Sequence, residues 1–215
     1  YDLLSPTDRR AFDRLGVFRG SFDLAAASAV LGTDGPPAGI GVLNRLLDAS
    51  MIIRTPEPGQ RRFRLLEPLR LYARSHLSED DLQAASKRHC DHSREIRSGT
   101  DVLRRPDVFG WRRQLGHEDH NIISAIEWSR ANETGAAALG FADAIGQSLY
   151  RRGEYVRCVE TIDALLADSN AAPPGLEALA RATLVWPLFL HGNAQRAFAE
   201  NVGSLEKAEE TGDAV

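Results

Sequence analysis

The sequence predicts a mainly α chain, with a winged-helix domain of three helices plus a β-hairpin wing followed by α-α helical-hairpin repeats. Three observations predict it. Between Gly39 and Leu77 an apolar helix face (Ile40, Leu43, Leu46, Leu47) runs into a strand-like Met51-Ile52-Ile53. A turn at Pro56-Glu57-Pro58-Gly59 and a returning strand from Arg61 to Leu66 follow. From Ser78 the apolar spacing is helical throughout, and within that part a pattern recurs every 39 residues.

Taken in order, Ser5-Pro6-Thr7-Asp8 is a helix start, because side-chain oxygens there can cap free amides; Ala11, Phe12, Leu15 and Phe18 follow at helical spacing. Gly20-Ser21-Phe22-Asp23 breaks that helix and opens a second through Leu24, Ala27, Val30 and Leu31, ended by Gly32. Thr33 to Gly39, rich in Gly and Pro, reads as a loop into the third helix. After the wing, Glu67-Pro68 opens another helix, since proline in the first turn loses no hydrogen bond and has the right φ. These elements make a domain of residues 1–77.

Residues 78–132 read as a helical linker: one helix from Glu79 to Arg97, a second from about Pro106 carrying Trp111 and Leu115, and a third from Asp119 through Ile122, Ile126 and Trp128. Residues 133–215 carry the repeat. Laying Gly153 on Gly192 puts Ile145 on Leu184, Leu149 on Leu188, Tyr150 on Phe189 and Leu166 on Leu205. Each unit is a helix, a Gly-containing turn and a helix, and no such hairpin buries its apolar face alone. Pro187 falls inside a predicted helix, where it removes one backbone bond, and the linker Ala171 to Gly175 separates the two units. The aromatic residues Trp111, Trp128, Trp186, Tyr150 and Phe189 read as packing between helices, with a repeat face left as a partner groove.

The 215 residues are 43% apolar, enough to build cores, and no run of 18 apolar residues occurs to span a membrane. With Tyr1 first and a turn-like Thr-Gly-Asp near the end, the sequence reads as a piece of a longer chain. Cys90 and Cys158 lie far apart in helical patterns, which points to buried thiols and a reducing cytoplasm rather than a disulfide framework. Residues 1–77 hold 11 basic and 8 acidic side chains and residues 78–215 hold 15 and 22, so the first part can approach an anion and the second repels one.

No catalytic constellation emerges. The G-x-x-x-x-G-K-[ST] phosphate loop does not occur, and the Gly-Pro stretches Asp34-Gly35-Pro36-Pro37 and Gly39-x-Gly41 read as loops. His89 with His92, and His117 with His120, share helix faces, but no third and fourth ligand stands at a settled spacing, so no metal site is assigned. The wing carries Arg54, Arg61, Arg62 and Arg64, with Arg62 and Arg64 on one side by strand alternation, a candidate contact to DNA or to a neighbouring domain. Against base reading, the third helix offers only Asn44, Arg45 and Asp48 as polar groups.

The runs SPTDRRAFDRLGVFRGSFDLAAASAVLG, VLNRLLDASMI and RFRLLEPLRLYARSHL resemble the winged-helix segment that follows the nucleotide-binding core in large bacterial STAND-type (NB-ARC-like) ATPase transcriptional regulators of the LuxR and AfsR types. RHCDHSREI, WRRQLGHEDHNIISAIEWS and LYRRGEYVRCVETIDALL are similar to the linker and tetratricopeptide (TPR)-like repeats that follow in those proteins. The resemblance implies a winged helix that folds against its own nucleotide-binding domain and holds an ADP-bound state, with DNA bound through another domain. In many relatives a histidine near the start of the last winged-helix helix approaches the nucleotide phosphate. Leu66 stands at that place here, so no nucleotide ligand is carried over to this chain.

The expected function is a non-catalytic, cytoplasmic relay and protein-interaction region of an ATP-dependent transcriptional regulator. ATP or ADP is expected in the parent chain, with no cofactor in this part, and a protein or small-molecule effector is expected on the repeats. The alternative is a DNA-binding winged helix with a helical-repeat dimerisation arm. An enzyme with its site between domains is the remaining class.

Overall fold

In the computed structural model the described residues are 1–33, 36–55, 61–98 and 108–211, and the chain divides into two compact units, Tyr1–Asp101 and Val102–Val215. The architecture is helical with a single two-stranded sheet among the described residues, as expected for a winged helix followed by helical repeats.

In the first unit α1 (Pro6–Leu15) begins where Ser5 Oγ accepts the Asp8 amide at 3.1 Å and donates to the Asp8 carboxylate at 2.7 Å. Asp23 caps α2 (Leu24–Leu31) in the same way, accepting from the Ala26 amide at 2.8 Å. The third helix, α3 (Pro36–Asp48), starts four residues earlier than the expected loop allows. Proline at a first helical position is already in helical φ, so Pro36-Pro37 begin the helix and Gly39 and Gly41 lie within it.

The wing is shorter than expected. β1 (Ile53–Thr55) pairs antiparallel with β2 (Arg62–Arg64), matching Ile53 with Arg64, Arg54 with Phe63 and Thr55 with Arg62. Met51 and Ile52 precede the ladder because Ser50, at φ 57°, ends α3 with the Met51 amide donating to Leu46 O at 2.9 Å. The expected turn at Pro56 to Gly59 lies outside the described residues. Phe22 and Phe63 exchange backbone hydrogen bonds of 2.8 Å, so the segment before α2 lies along the wing as a third short line of chain.

Then come α4 (Glu67–Ser75) and α5 (Glu79–Ser98). The core gathers Phe12, Leu15, Phe18, Phe22, Leu43, Leu46 and Ile52, each large side chain contributing about 1.5–3 kcal/mol on burial. Ala85 of α5 is buried in that core with Leu82 against it, and α5 packs on α2. The helix that reads as the start of a linker thus lies in the first compact unit.

The second unit opens with α6 (Val108–Asn132), one continuous helix where two are expected. Gly116 does not break it: a glycine inside a helix costs only about 1 kcal/mol, less than ending and restarting the hydrogen-bond ladder. The remaining helices are α7 (Gly135–Leu139), α8 (Ala142–Arg151), α9 (Tyr155–Asp168), α10 (Pro174–Leu190) and α11 (Ala194–Glu209).

The 39-residue period is structural. The α7–α8 stretch begins at Gly135 and ends at Arg151, and α10 begins and ends 39 positions later at Pro174 and Leu190. Both hairpins turn on a left-handed glycine, Gly153 at φ 74° and Gly192 at φ 87°, a conformation that costs any residue with a Cβ. The bonds closing the turns correspond: Glu154 N to Leu149 O at 3.0 Å in the first, Asn193 N to Leu188 O at 2.9 Å in the second. Pro187 sits within α10 as expected. The expected linker from Ala171 ends sooner, because Pro174-Gly175 already belong to α10.

Candidate functional site

Two surfaces are candidates: the wing of the first unit and the outer face of the last hairpin. On the wing, strand alternation fails to decide which arginines are free. Arg62 is 1% exposed. Its Nε donates to Ser21 Oγ at 2.9 Å and its Nη2 to Ser21 O at 2.7 Å, because the Ser21-Phe22 segment lies across that side of the sheet. Arg54, Arg61 and Arg64 are exposed. The expected Arg62–Arg64 pair is therefore corrected: Arg62 is a buried tie between wing and loop, and Arg64 faces solvent without it.

On α3 the donor set is thinner still. Arg45 is engaged by the Asp8 carboxylate, whose pKa is held below its usual value, first by that hydrogen bond. Asn44 is exposed, and Asp48 presents an acid where a base-reading surface needs donors. Leu66 is exposed at the start of α4 and makes no side-chain cap. Glu67 binds Arg70 through hydrogen bonds of 2.7 and 2.8 Å, rather than capping its own helix.

The second surface is an open apolar cleft of about 480 Å³ between α10 and α11, lined by Val185, Trp186, Phe189, Ala197, Phe198 and Asn201. Trp186, Phe189 and Phe198 are 61%, 54% and 71% exposed. The expectation that Trp186 and Phe189 pack between helices is thus corrected; they meet edge to face at 6.0 Å on the surface. Tyr150 and Trp128 are half-buried, and the Trp111 side chain lies outside the described residues.

The repeat register explains the cleft. In the first hairpin Gly146, Cys158 and Ile162 meet at one place, Cys158 Sγ donating to Gly146 O at 3.7 Å, and α10 packs against α8 and α9. A Cβ at Gly146 would stand 2.2 Å from Thr183 Cγ2 of α10 and 3.6 Å from Ile162 Cδ1. The positions 39 residues on are Val185, Ala197 and Asn201, which line the open cleft. A helix covers this place in the first hairpin, and the same place is open in the second. Phe198 escaped the sequence reading because its match, Val159, is half-buried and gave no aromatic signal.

The histidines do not converge. His89 is buried edge-on to Phe18 at 5.1 Å, His92 faces Glu95 at 3.9 Å and His120 is exposed. Among the described residues no three His, Cys, Asp or Glu side chains gather as a metal would require. Cys90 and Cys158 are both free thiols in buried positions, and burial pushes the Cys158 thiol up to about 11. Among the described residues no helix is long and apolar enough to cross a membrane.

No family model matches the chain, and no solved structure matches it. Curated relatives do. A Mycobacterium tuberculosis protein named "Putative HTH-type transcriptional regulator" is 29% identical over 170 residues, which are 78% of this chain and 19% of that protein. A Mycobacterium bovis protein of the same name matches to the same extent. A shorter match, 34% identical over 110 residues, covers 47% of this chain and 28% of an M. tuberculosis protein named "Uncharacterized protein". The chain thus spans about a fifth of the length of the regulators it matches. Over most of its own length it is similar to proteins named as transcriptional regulators.

Proposed function

We propose that this chain is the relay and protein-interaction region of an ATP-dependent transcriptional regulator, carrying a winged helix and TPR-like repeats. The single observation that carries the reading is the similarity to HTH-type regulators across 78% of the chain. In this reading the winged helix packs on a nucleotide-binding domain of the parent polypeptide, and DNA is bound through another domain. The α10–α11 cleft takes a helical segment of an effector or partner, as the first hairpin takes α10. The region itself is non-catalytic and works in the cytoplasm. Relay requires the partner to prefer one domain arrangement over the other, since equal affinity shifts nothing.

The test is nucleotide turnover and domain binding by the isolated chain. The expected result is no ATP hydrolysis, with retention on the parent protein's nucleotide-binding domain. Measurable turnover overturns the proposal.

A second reading, a winged helix that binds DNA directly and dimerises through its repeats, is favoured by the exposed Arg54, Arg61 and Arg64. It predicts salt-dependent retention of duplex DNA that falls when Arg61 and Arg64 are replaced by Ala. Duplexes that fail to shift at low salt exclude it.

A further inference from the structure

Apolar side chains exposed singly over a protein need no explanation, but a contiguous patch of them does. On the α10–α11 hairpin they are gathered. Helical spacing puts Trp186 and Leu190 on one stripe of α10 and Phe198, Val202 and Leu205 on one stripe of α11, with Phe189 beside the cleft between them. Leu190, Val202 and Leu205 are 47%, 37% and 46% exposed, and the three aromatic residues are more exposed still. From ordinary side-chain areas the six offer on the order of 450 Å² of apolar surface. A standard interface takes about 800 Å² from each partner, slightly more than half of it apolar, so this patch alone supplies one partner's apolar share.

Charge narrows what can cover it. No charged side chain lines the cleft among the described residues. Each Lys and Arg of the two helices is paired within the chain: Arg181 with Glu177 and Glu200, both at 2.9 Å, Arg196 with Asp163 at 2.5 Å, and Lys207 with Glu210 at 3.1 Å. An acidic segment therefore meets no free cation here and a basic one no acid in the cleft wall, and burying a charge unpaired is unfavourable. The occupant that fits is an uncharged apolar helix face of similar extent. The hairpin itself is such a face. It also carries both features of relief that a two-fold pairing needs, the protruding Trp186 and Phe198 and the cleft of about 480 Å³ beside them, because each copy must supply what the other receives.

We infer that the α10–α11 face is where two copies of this chain meet, hairpin against hairpin, as a two-fold bundle of four helices. Each hairpin then lies across the other as α10 lies across the first hairpin at Gly146. The inference rests on the reading of the cleft as a docking place and names its occupant. ATP turnover by the chain would overturn the relay reading and leave this pairing untouched, and a strictly monomeric chain would do the reverse.

The experiment is sedimentation of the 215-residue chain from about 0.1 to 100 µM, a range set by the micromolar or tighter affinity of interfaces this size. The mass is expected to rise to twice that of one chain, and Trp186→Glu and Phe198→Glu are each expected to weaken the pairing at least about tenfold. Both side chains are more than half exposed in the single chain, so these variants are expected to keep their helix content by circular dichroism. The same change at Leu71, an exposed apolar residue of α4 in the other unit, is expected to leave the pairing as in wild type. Hydrogen exchange in wild type reads the interface without any substitution: α11 amides are expected to exchange more slowly at the top of the concentration range than at the bottom. A chain that stays monomeric throughout overturns the proposal and leaves the cleft to a different polypeptide. It is equally overturned by a dimer that Trp186→Glu and Phe198→Glu leave intact, by one that Leu71→Glu dissociates as readily, or by α11 exchange that does not change with concentration.

Discussion

Arg45 on α3 holds the carboxylate of Asp8 on α1 by three hydrogen bonds, Nε to both oxygens at 3.0 and 3.1 Å and Nη2 to Oδ1 at 2.8 Å. The contact fixes the third helix against the first and uses the one cation with which α3 would read an anionic groove. Asp8 is buried while the Arg45 side chain is half in solvent, so the larger loss comes from removing the arginine and leaving the acid alone. Arg45→Ala is expected to destabilise the first unit by about 1–3 kcal/mol in urea unfolding. Asp8 has a depressed folded pKa, so its contribution is present above the ordinary carboxyl pKa and is lost as the pH falls through the folded value. Asp8→Asn is expected to flatten that acid loss, measured as stability against pH.

Asp13 has the opposite sign. Burial raises its pKa, while the Tyr1 hydroxyl, donating at 2.9 Å, and the charges of His76 and Arg9 pull it down less strongly. A raised folded pKa contributes stability that is complete below the ordinary carboxyl pKa and is lost as pH rises through the folded value. Asp13→Asn keeps an oxygen for Tyr1 and is expected to lose this decline between acid and neutral pH. An Asp13→Asn chain whose profile matches wild type would refute the assignment.

The wing arginines separate by role. Arg62→Ala removes a buried guanidinium bonded to Ser21 and is expected to cost about 1–3 kcal/mol. Arg64→Ala, at an exposed position, is expected to stay within about 0.5 kcal/mol of wild type in the same denaturation series.

Gly146 tests the packing of the hairpins. Gly146→Ala drives a methyl into Thr183 Cγ2 and is expected to destabilise the second unit by about 1–3 kcal/mol. Adding Thr183→Ser, which deletes the clashing methyl, should recover part of the loss in a double-mutant cycle.

Cys158 should be chemically quiet. With its thiol pushed up to about 11 and its sulfur buried, alkylation by iodoacetamide at neutral pH is expected only after unfolding. Rapid labelling of the native chain, mapped to this residue by mass spectrometry, would contradict the packing at Gly146.

How far the sequence could be read depended on the contrast between apolar and polar residues. The helix starts at Ser5 and Asp23 and the recurrence from Ile145 to Leu184 were legible, because caps and strong apolar residues set them. The packing of α5 was not, since its buried stripe is Ala85, His89, Cys90 and Ser93, a series with almost no hydropathy signal. The inward turn of Arg62 was hidden for a different reason. Its partner, Ser21, is 41 positions away, and strand alternation carries no information about what lies across the sheet. A partner groove on a repeat face was expected, but its place and aromatic lining were missed because Trp186 and Phe189 look the same in a sequence whether or not a helix covers them.

Among the described residues the α10–α11 hairpin is supported from one side. Helix α11 packs chiefly on α10, with Arg196 reaching Asp163 of α9 at 2.5 Å, whereas α9 lies between its own partner helix and α10. Exposed ion pairs contribute little, at most about 1 kcal/mol each. Backbone amides of α11 should therefore trade their hydrogens for deuterium well before those of α9, and occupancy of the cleft would slow that exchange toward the rate of its sheltered counterpart.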